Sequence, residues 1–352
     1  MPHLKVNSPT GDVNFFYNIT TPASPSSPAI DPNLPSVLFI HGEYVPQQIF
    51  EAQFSDPELR NRFNLIGIDL RGYGATGGFT PKTYTPTHAA HDLYLFLEAL
   101  QISKIHIFAL SINTHIALVL AATHPDLVHS LMLCSTVPPQ EPEGVAAGRV
   151  ELFEFWSDSQ VQESGGRGLK GFDEDLLATL LKGAQQMLFS DNATPLAEAV
   201  TLVSLEYNAI GWAGTPEARE TGHTFCLDWF LERRVFDVDF FSKIGCPVAI
   251  IHCEDDIAYP FGHAEELQAQ LTQAGNARVT LCQIPGPRYA NVLYPEILNP
   301  IIRNHILSVT EPNNPPGKGV SVVKKESLLE TPFKEILAKY GYRADSSDED
   351  SE

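Results

Sequence analysis

The run Ile105-His106-Ile107-Phe108-Ala109-Leu110-Ser111-Ile112-Asn113-Thr114-His115-Ile116-Ala117 decides how this chain is read. Residues 105 to 110 are almost continuously apolar, the pattern of a strand covered on both faces. The apolar segment 112 to 123 follows Ser111 without a spacer and reads as a helix. A sharp strand-to-helix turn strains its central residue, lifts that side chain to the carboxyl edge of the sheet, and sets the next N–H at a helix N-terminus. Such a place suits a nucleophile. A serine there also serves as an ordinary helix cap, and the turn by itself leaves both roles open.

Working outward, the same alternation recurs on both sides. Residues 37–40 and 65–70 are short apolar runs ending in His41-Gly42 and in the turn residues Arg71-Gly72-Tyr73-Gly74. Thr87 is placed to cap a helix running to Leu100, and residues 129–137 read as a further strand. Upstream, the weak alternation of Val13, Phe15, Tyr17 and Ile19 predicts a hairpin around Pro9, Thr10 and Gly11. Strand and helix in alternation predict an α/β architecture around a mostly parallel sheet. From Pro138 to Asp239 the periodicity is helical instead, with Leu176, Leu177, Leu180 and Leu181 on one stripe. Alternation then resumes with strands over 247–253 and 278–284 and helices over 264–273 and 295–307.

These boundaries divide the chain into a first core segment (1–137), a helical insertion (138–239), a second core segment (240–308) and a tail (309–352). The tail holds a Pro-rich linker and a short amphipathic segment with Phe333, Ile336, Leu337 and Tyr340 on one face, expected to dock. Its acidic end, DSSDEDSE, carries like charges and is expected to be disordered.

Composition narrows the partners. The 352 residues carry 23 Lys plus Arg against 43 Asp plus Glu, a formal charge of −20, which repels phosphate backbones and anionic lipid. Neither nucleic acid nor a membrane is expected as a partner. The start lacks the order of a signal peptide and no apolar run is long enough for a span, so a soluble cytoplasmic protein is expected. Five cysteines without paired spacing indicate neither a disulfide framework nor a zinc site. His88, His91 and Asp92 share a helix face, but no second cluster joins them, and no metal is expected.

Two more segments end at the sheet edge where such folds build sites. After residues 37–40, Gly42 lets the backbone bend so that the Glu43 N–H can face the turn; with the Ile112 N–H it would form an oxyanion hole. After the strand ending at Cys253 comes Glu254-Asp255-Asp256, a source of the carboxylate that orients a base.

With these pieces in place, the chain resembles the α/β-hydrolase superfamily, of the esterase, lactonase and epoxide-hydrolase-like kind, from about Val6 to Leu307. The family's HG turn matches His41-Gly42, its D-x-R-G-x-G-x-S loop matches Asp69 to Thr76, and its acid loop matches Cys253 to Pro260. The resemblance implies the α/β-hydrolase fold with a helical cap, no cofactor, Ser111 as nucleophile and Asp256 as acid. It also implies His41 in a structural role. The chain departs from the family at the elbow, where Ala109 and Asn113 replace both glycines of G-x-S-x-G. It departs again where the base histidine is expected: the loop Ile284-Pro285-Gly286-Pro287-Arg288-Tyr289 offers Arg288.

A guanidinium keeps its proton at neutral pH and has no lone pair, so it cannot take the proton of a serine. His252, His263 and His305 are the substitutes nearest in sequence. The implied function is hydrolysis of a small or medium apolar ester, lactone or related carbonyl compound. The same pocket could instead serve a lyase, isomerase or cyclase, or a member that only binds a small molecule or a protein. Trp156, Trp212, Trp229 and Phe230 of the insertion either line a pocket or form the insertion's own core.

Overall fold

The computed structural model describes residues 2–160, 171–190, 192–310 and 328–344. The acidic end and the Pro-rich linker of the tail lie outside these residues. Eight strands form one sheet: β1 (His3–Val6), β2 (Val13–Thr20), β3 (Ser36–Ile40), β4 (Asn64–Ile68), β5 (Ile105–Leu110), β6 (Val128–Cys134), β7 (Val248–Cys253) and β8 (Val279–Ile284). Their spatial order is β1-β2-β4-β3-β5-β6-β7-β8. The first two pair antiparallel around the expected hairpin, and β2 joins β4 antiparallel. The rest is parallel, as continuous apolar runs demand.

Every residue of β3, β4, β5 and β7 is buried, because helices cover both faces. Ile105, Ile107 and Ala109 pack under the Pro86–Ala99 and Thr114–Thr123 helices, while Phe108 and Leu110 face the opposite layer with Phe39, Phe50 and Phe54. Among the described residues no helix is long and apolar enough to cross a membrane.

Boundaries differ from expectation in instructive places. The helix expected after Thr87 begins at Pro86 with Thr85 as its cap, because the His88 side chain closes a reciprocal bond with the Thr85 backbone. The helix expected from Ile112 opens with a 3₁₀ turn over Ser111–Asn113 and becomes α-helical at Thr114.

Between β6 and β7 the described residues form helices Glu143–Asp158, Glu174–Phe189, Pro195–Gly211 and Pro216–His223, which roof the carboxyl edge of the sheet. The tail segment docks. Phe333 and Leu337 are fully buried in the layer that holds Phe54, Val200 and Val203, so they bridge the core to the Pro195–Gly211 helix. Thr331 donates to Glu51, and Arg60 donates to the Glu330 carbonyl at 2.6 Å.

Candidate active site

Ser111 sits at the end of β5 with φ of +52°, the left-handed conformation that a side chain other than glycine rarely takes. Asn113, which replaces a glycine, donates its side-chain amide to the His41 carbonyl at 2.7 Å, tying the turn to the end of β3. His41 accepts from the Leu70 N–H at 3.0 Å, and burial lowers its pKa to about 4, so it is a neutral brace between two loops. Gly42 has room for no side chain: a Cβ there would fall 2.1 Å from the Tyr289 hydroxyl oxygen.

The loop after β8 brings Arg288 between the other candidates. Gly286 supplies φ of +104° for the bend, and Ser135 donates to the Arg288 carbonyl at 2.7 Å. The fully buried guanidinium of Arg288 donates to Glu43 Oε1 at 2.8 Å, Ser111 Oγ at 3.3 Å and Asp256 Oδ1 at 3.0 Å. Asp256 is held by its own turn, accepting from the N–H groups of Ala258 and Tyr259. Ser111, Asp256, Arg288 and Glu43, four segments apart in sequence, thus meet. Ile112 is buried beneath Phe230 and Tyr259.

The histidines considered as substitutes go elsewhere. His252 packs on Phe261, and His263 lies beside Tyr259 and Glu266. His305 is on the Pro295–Thr310 helix, its Nε2 buried without a partner. Asp92 is taken up by Arg71, at 3.0 Å, and by the Tyr84 hydroxyl, at 2.8 Å.

What the sequence reading missed is the other half of the cluster. Arg149, from the Glu143–Asp158 helix of the roof, lies 3.5 Å from Glu43 and 2.7 Å from Glu141, and Glu141 also holds Arg233 at 2.7 Å. Asp256, Arg288, Glu43, Arg149, Glu141 and Arg233 therefore form one alternating chain of three carboxylates and three guanidiniums, with side chains at most 2% exposed. Tyr289 donates to Glu43 Oε2 at 3.0 Å and Tyr259 to Glu141 at 2.8 Å, while Arg149 and Arg288 stack on the rings of Phe230 and Tyr259. No local pattern announces Arg149 or Glu141, because Arg149 is one of several charged residues on its helix and Glu141 lies in a polar, Pro-rich loop before it.

Burial alone would raise the Glu43 carboxyl. The guanidiniums of Arg288 and Arg149, helped by the Ser111 hydroxyl, bring it down to about 2 instead. Burial would likewise lower Arg288, but Asp256 and Glu43 hold its pKa well above the ordinary value. The lowered pKa makes Glu43, the carboxylate that shares Arg288 with Ser111, a very weak base.

A chamber of about 80 Å³ lies above, between the roof helices. Trp156 and Trp212 line it, along with Leu152, Leu180, Leu188 and Leu205, and its polar edge is Tyr44 and Arg149. Of the ion cluster, only Arg149 reaches it; Ser111, Asp256 and Arg288 line neither this chamber nor the open groove near Trp229. Trp229 packs against Tyr84 and Phe225. Two of the four aromatics of the insertion thus face the chamber, Trp229 borders the open groove while packing on these two rings, and Phe230 packs with Ile112 and Tyr259.

Residues 35–286 match the family described as the alpha/beta hydrolase fold. A relative from Agrobacterium fabrum, whose name describes a carbamate hydrolase, is 25% identical over 245 residues, 68% of this chain and 82% of its own. Among solved structures, a thermophilic esterase from Thermogutta terrifontis superimposes with a TM-score of 0.65 at 19% identity, covering 88% of this chain and 99% of its own. The enol-lactonase from Burkholderia xenovorans gives 0.64 at 14% identity, covering 87% and 99%. At these identities the two structures speak for the fold alone.

Proposed function

Since the chain belongs to the α/β-hydrolase superfamily, we propose that it is a member that holds a small apolar molecule in the chamber under its cap while its serine centre stays locked by the ion cluster. The observation that carries this reading is the position of Arg288, in hydrogen-bond reach of both Ser111 and Asp256. A serine nucleophile needs an acceptor for its proton with a pKa near the working pH. Arg288 has no lone pair, and Glu43 at about 2 lies far below neutrality. Held by two guanidiniums, the Glu43 carboxylate is too weak a base to take the serine proton efficiently at neutral pH.

The chamber suits a modest ligand. Its volume of about 80 Å³ is roughly half that of an apolar cavity of about 150 Å³ that takes up benzene. The lining supports an apolar molecule of a few heavy atoms, with larger ones requiring the roof helices to move.

One observation favours a second reading. Ser111 keeps a left-handed backbone, a strain of about 1–3 kcal/mol that a purely structural serine does not require. In that reading the cluster opens when ligand enters, and the protein hydrolyses an ester, lactone or carbamate, the classes named for its relatives.

The test pairs a fluorophosphonate probe and p-nitrophenyl acetate hydrolysis with fluorescence titration of Trp156 and Trp212. The binding reading expects Ser111→Ala to match the wild type in labelling and hydrolysis, and expects apolar compounds to shift the tryptophan emission unless Leu205→Trp fills the chamber. Labelling and turnover that vanish with Ser111→Ala would establish the hydrolytic reading instead.

A further inference from the structure

The polar edge of the chamber is more selective than its apolar walls. Thr201 and Ser204 line it, but their hydroxyls donate back to the carbonyls of Ala197 at 2.7 Å and Val200 at 2.6 Å. The Asn208 amide donates to the Tyr44 carbonyl at 2.9 Å. Tyr44 and Arg149 remain on the side facing Glu43, and the Trp156 indole N–H, buried without an acceptor among the described residues, is a further donor in the lining. The Tyr44 hydroxyl accepts from Arg149 Nη1 at 2.9 Å, and no acceptor among the described residues takes its own proton. Arg149 spends Nε on Glu141 and points Nη2 at Tyr259 and Glu43, which leaves one Nη1 proton unused. The adjoining Tyr44 and Arg149 donors, and separately the Trp156 indole N–H, therefore border an apolar space that offers them no acceptor. Tyr44 is fixed there by a strained backbone, with φ of +64°.

Charge decides which acceptor fits. The ion cluster is balanced, three guanidiniums against three carboxylates, all out of solvent. A ligand carboxylate placed against Arg149 would add an uncompensated buried negative charge next to Glu43 and Glu141, which is strongly unfavourable. A neutral carbonyl oxygen accepts the two protons without disturbing that balance.

We infer that the chamber recognises a small apolar molecule bearing one neutral carbonyl, such as a ketone or lactone, with Tyr44 and Arg149 as the residues that bind the carbonyl oxygen and select against carboxylates. This rests on the chamber being the ligand site proposed above.

The experiment compares three planar four-heavy-atom ligands of one shape, acetone, isobutene and acetate, by tryptophan fluorescence and ligand-observed NMR on the full chain, wild type and Tyr44→Phe. Acetone should bind about five- to tenfold more tightly than isobutene, with acetate weakest, and Tyr44→Phe should remove most of the ketone's advantage. Equal binding of ketone and alkene, or tightest binding of the carboxylate, overturns the inference while leaving the chamber as a ligand site. Failure of all three to bind the wild type overturns the chamber reading, and this inference with it.

Discussion

Arg288 and Glu43 stand 245 residues apart in sequence and meet at 2.8 Å with no solvent on either side chain. The contact joins the loop after the last strand to the loop after β3, the two segments that frame Ser111. Removing one partner of such a pair strands the other as an unpaired buried charge, which costs about 3–5 kcal/mol. Arg288→Met is expected to lower stability by that amount in urea unfolding at pH 7. Adding Glu43→Gln should recover part of the loss, because one of the two carboxylates that lost Arg288 is then neutral, while Asp256 stays unpaired. Strict additivity of the two substitutions would show that the pair is not coupled.

Acid should release the same contact. The Glu43 carboxyl is depressed to about 2 in the folded protein, below the ordinary 4.5. Its stabilisation is therefore complete above about 4.5 and lost as pH falls from there towards 2. Thermal melts should show a decline over this interval, and Glu43→Gln should flatten the decline while lowering stability at pH 7.

The docked tail should respond to pH with the opposite sign. Burial raises the Glu51 carboxyl to about 7, with the Thr331 hydrogen bond and Lys334 working against the rise. A raised pKa stabilises the fold at low pH and forfeits that contribution as pH climbs through about 7, here on the order of 3 kcal/mol. Protection against hydrogen exchange in 331–340, corrected for the intrinsic rate, is expected to fall between about pH 4.5 and 7. Glu51→Gln, which keeps an acceptor for Thr331, should remove the pH dependence; an unchanged profile would assign it to another group, such as Asp69, which burial also raises to about 7.

Phe333 lies against Phe54 with ring centroids 5.1 Å apart and is fully buried. Truncating a core phenylalanine costs about 3–5 kcal/mol. Since this residue also packs in the layer that holds Val200 and Val203 of the Pro195–Gly211 helix, Phe333→Ala should raise hydrogen exchange in that helix as well as in the tail. Protection of the helix unaffected by the change would mean that the tail does not brace the roof.

Gly42→Ala tests the floor of the site. Its new methyl would fall 2.1 Å from the Tyr289 hydroxyl oxygen and 2.7 Å from the ring carbon that bears it. A loss of about 1–3 kcal/mol is expected from the forced shift. Tyr289→Phe, which deletes only the nearest atom, should rescue part of this loss in the double variant. A neutral Gly42→Ala would mean that the Tyr289 ring is free to move.

By itself the sequence determined the sheet, the strand-to-helix turn at Ser111 and the helical stretch between β6 and β7. Continuous apolar runs, the Ser111 turn and the switch to helical period are local patterns, because backbone hydrogen bonding and side-chain spacing act over a few residues. It also brought Ser111 and the carboxylates after Cys253 under suspicion, since each follows a strand and the carboxyl ends of parallel strands converge. Asp256 and Arg288 are singled out by the resemblance to the family's acid and base positions. Only the tertiary structure decided that Glu43 contributes its side chain to the centre, that Arg149, Glu141 and Arg233 extend the ion chain into the roof, and that the chamber opens at Tyr44 and Arg149 rather than at Ser111. Those relationships join residues up to 245 positions apart. Their energy comes from desolvated charges brought together, a condition that exists only after the chain has folded and excluded water.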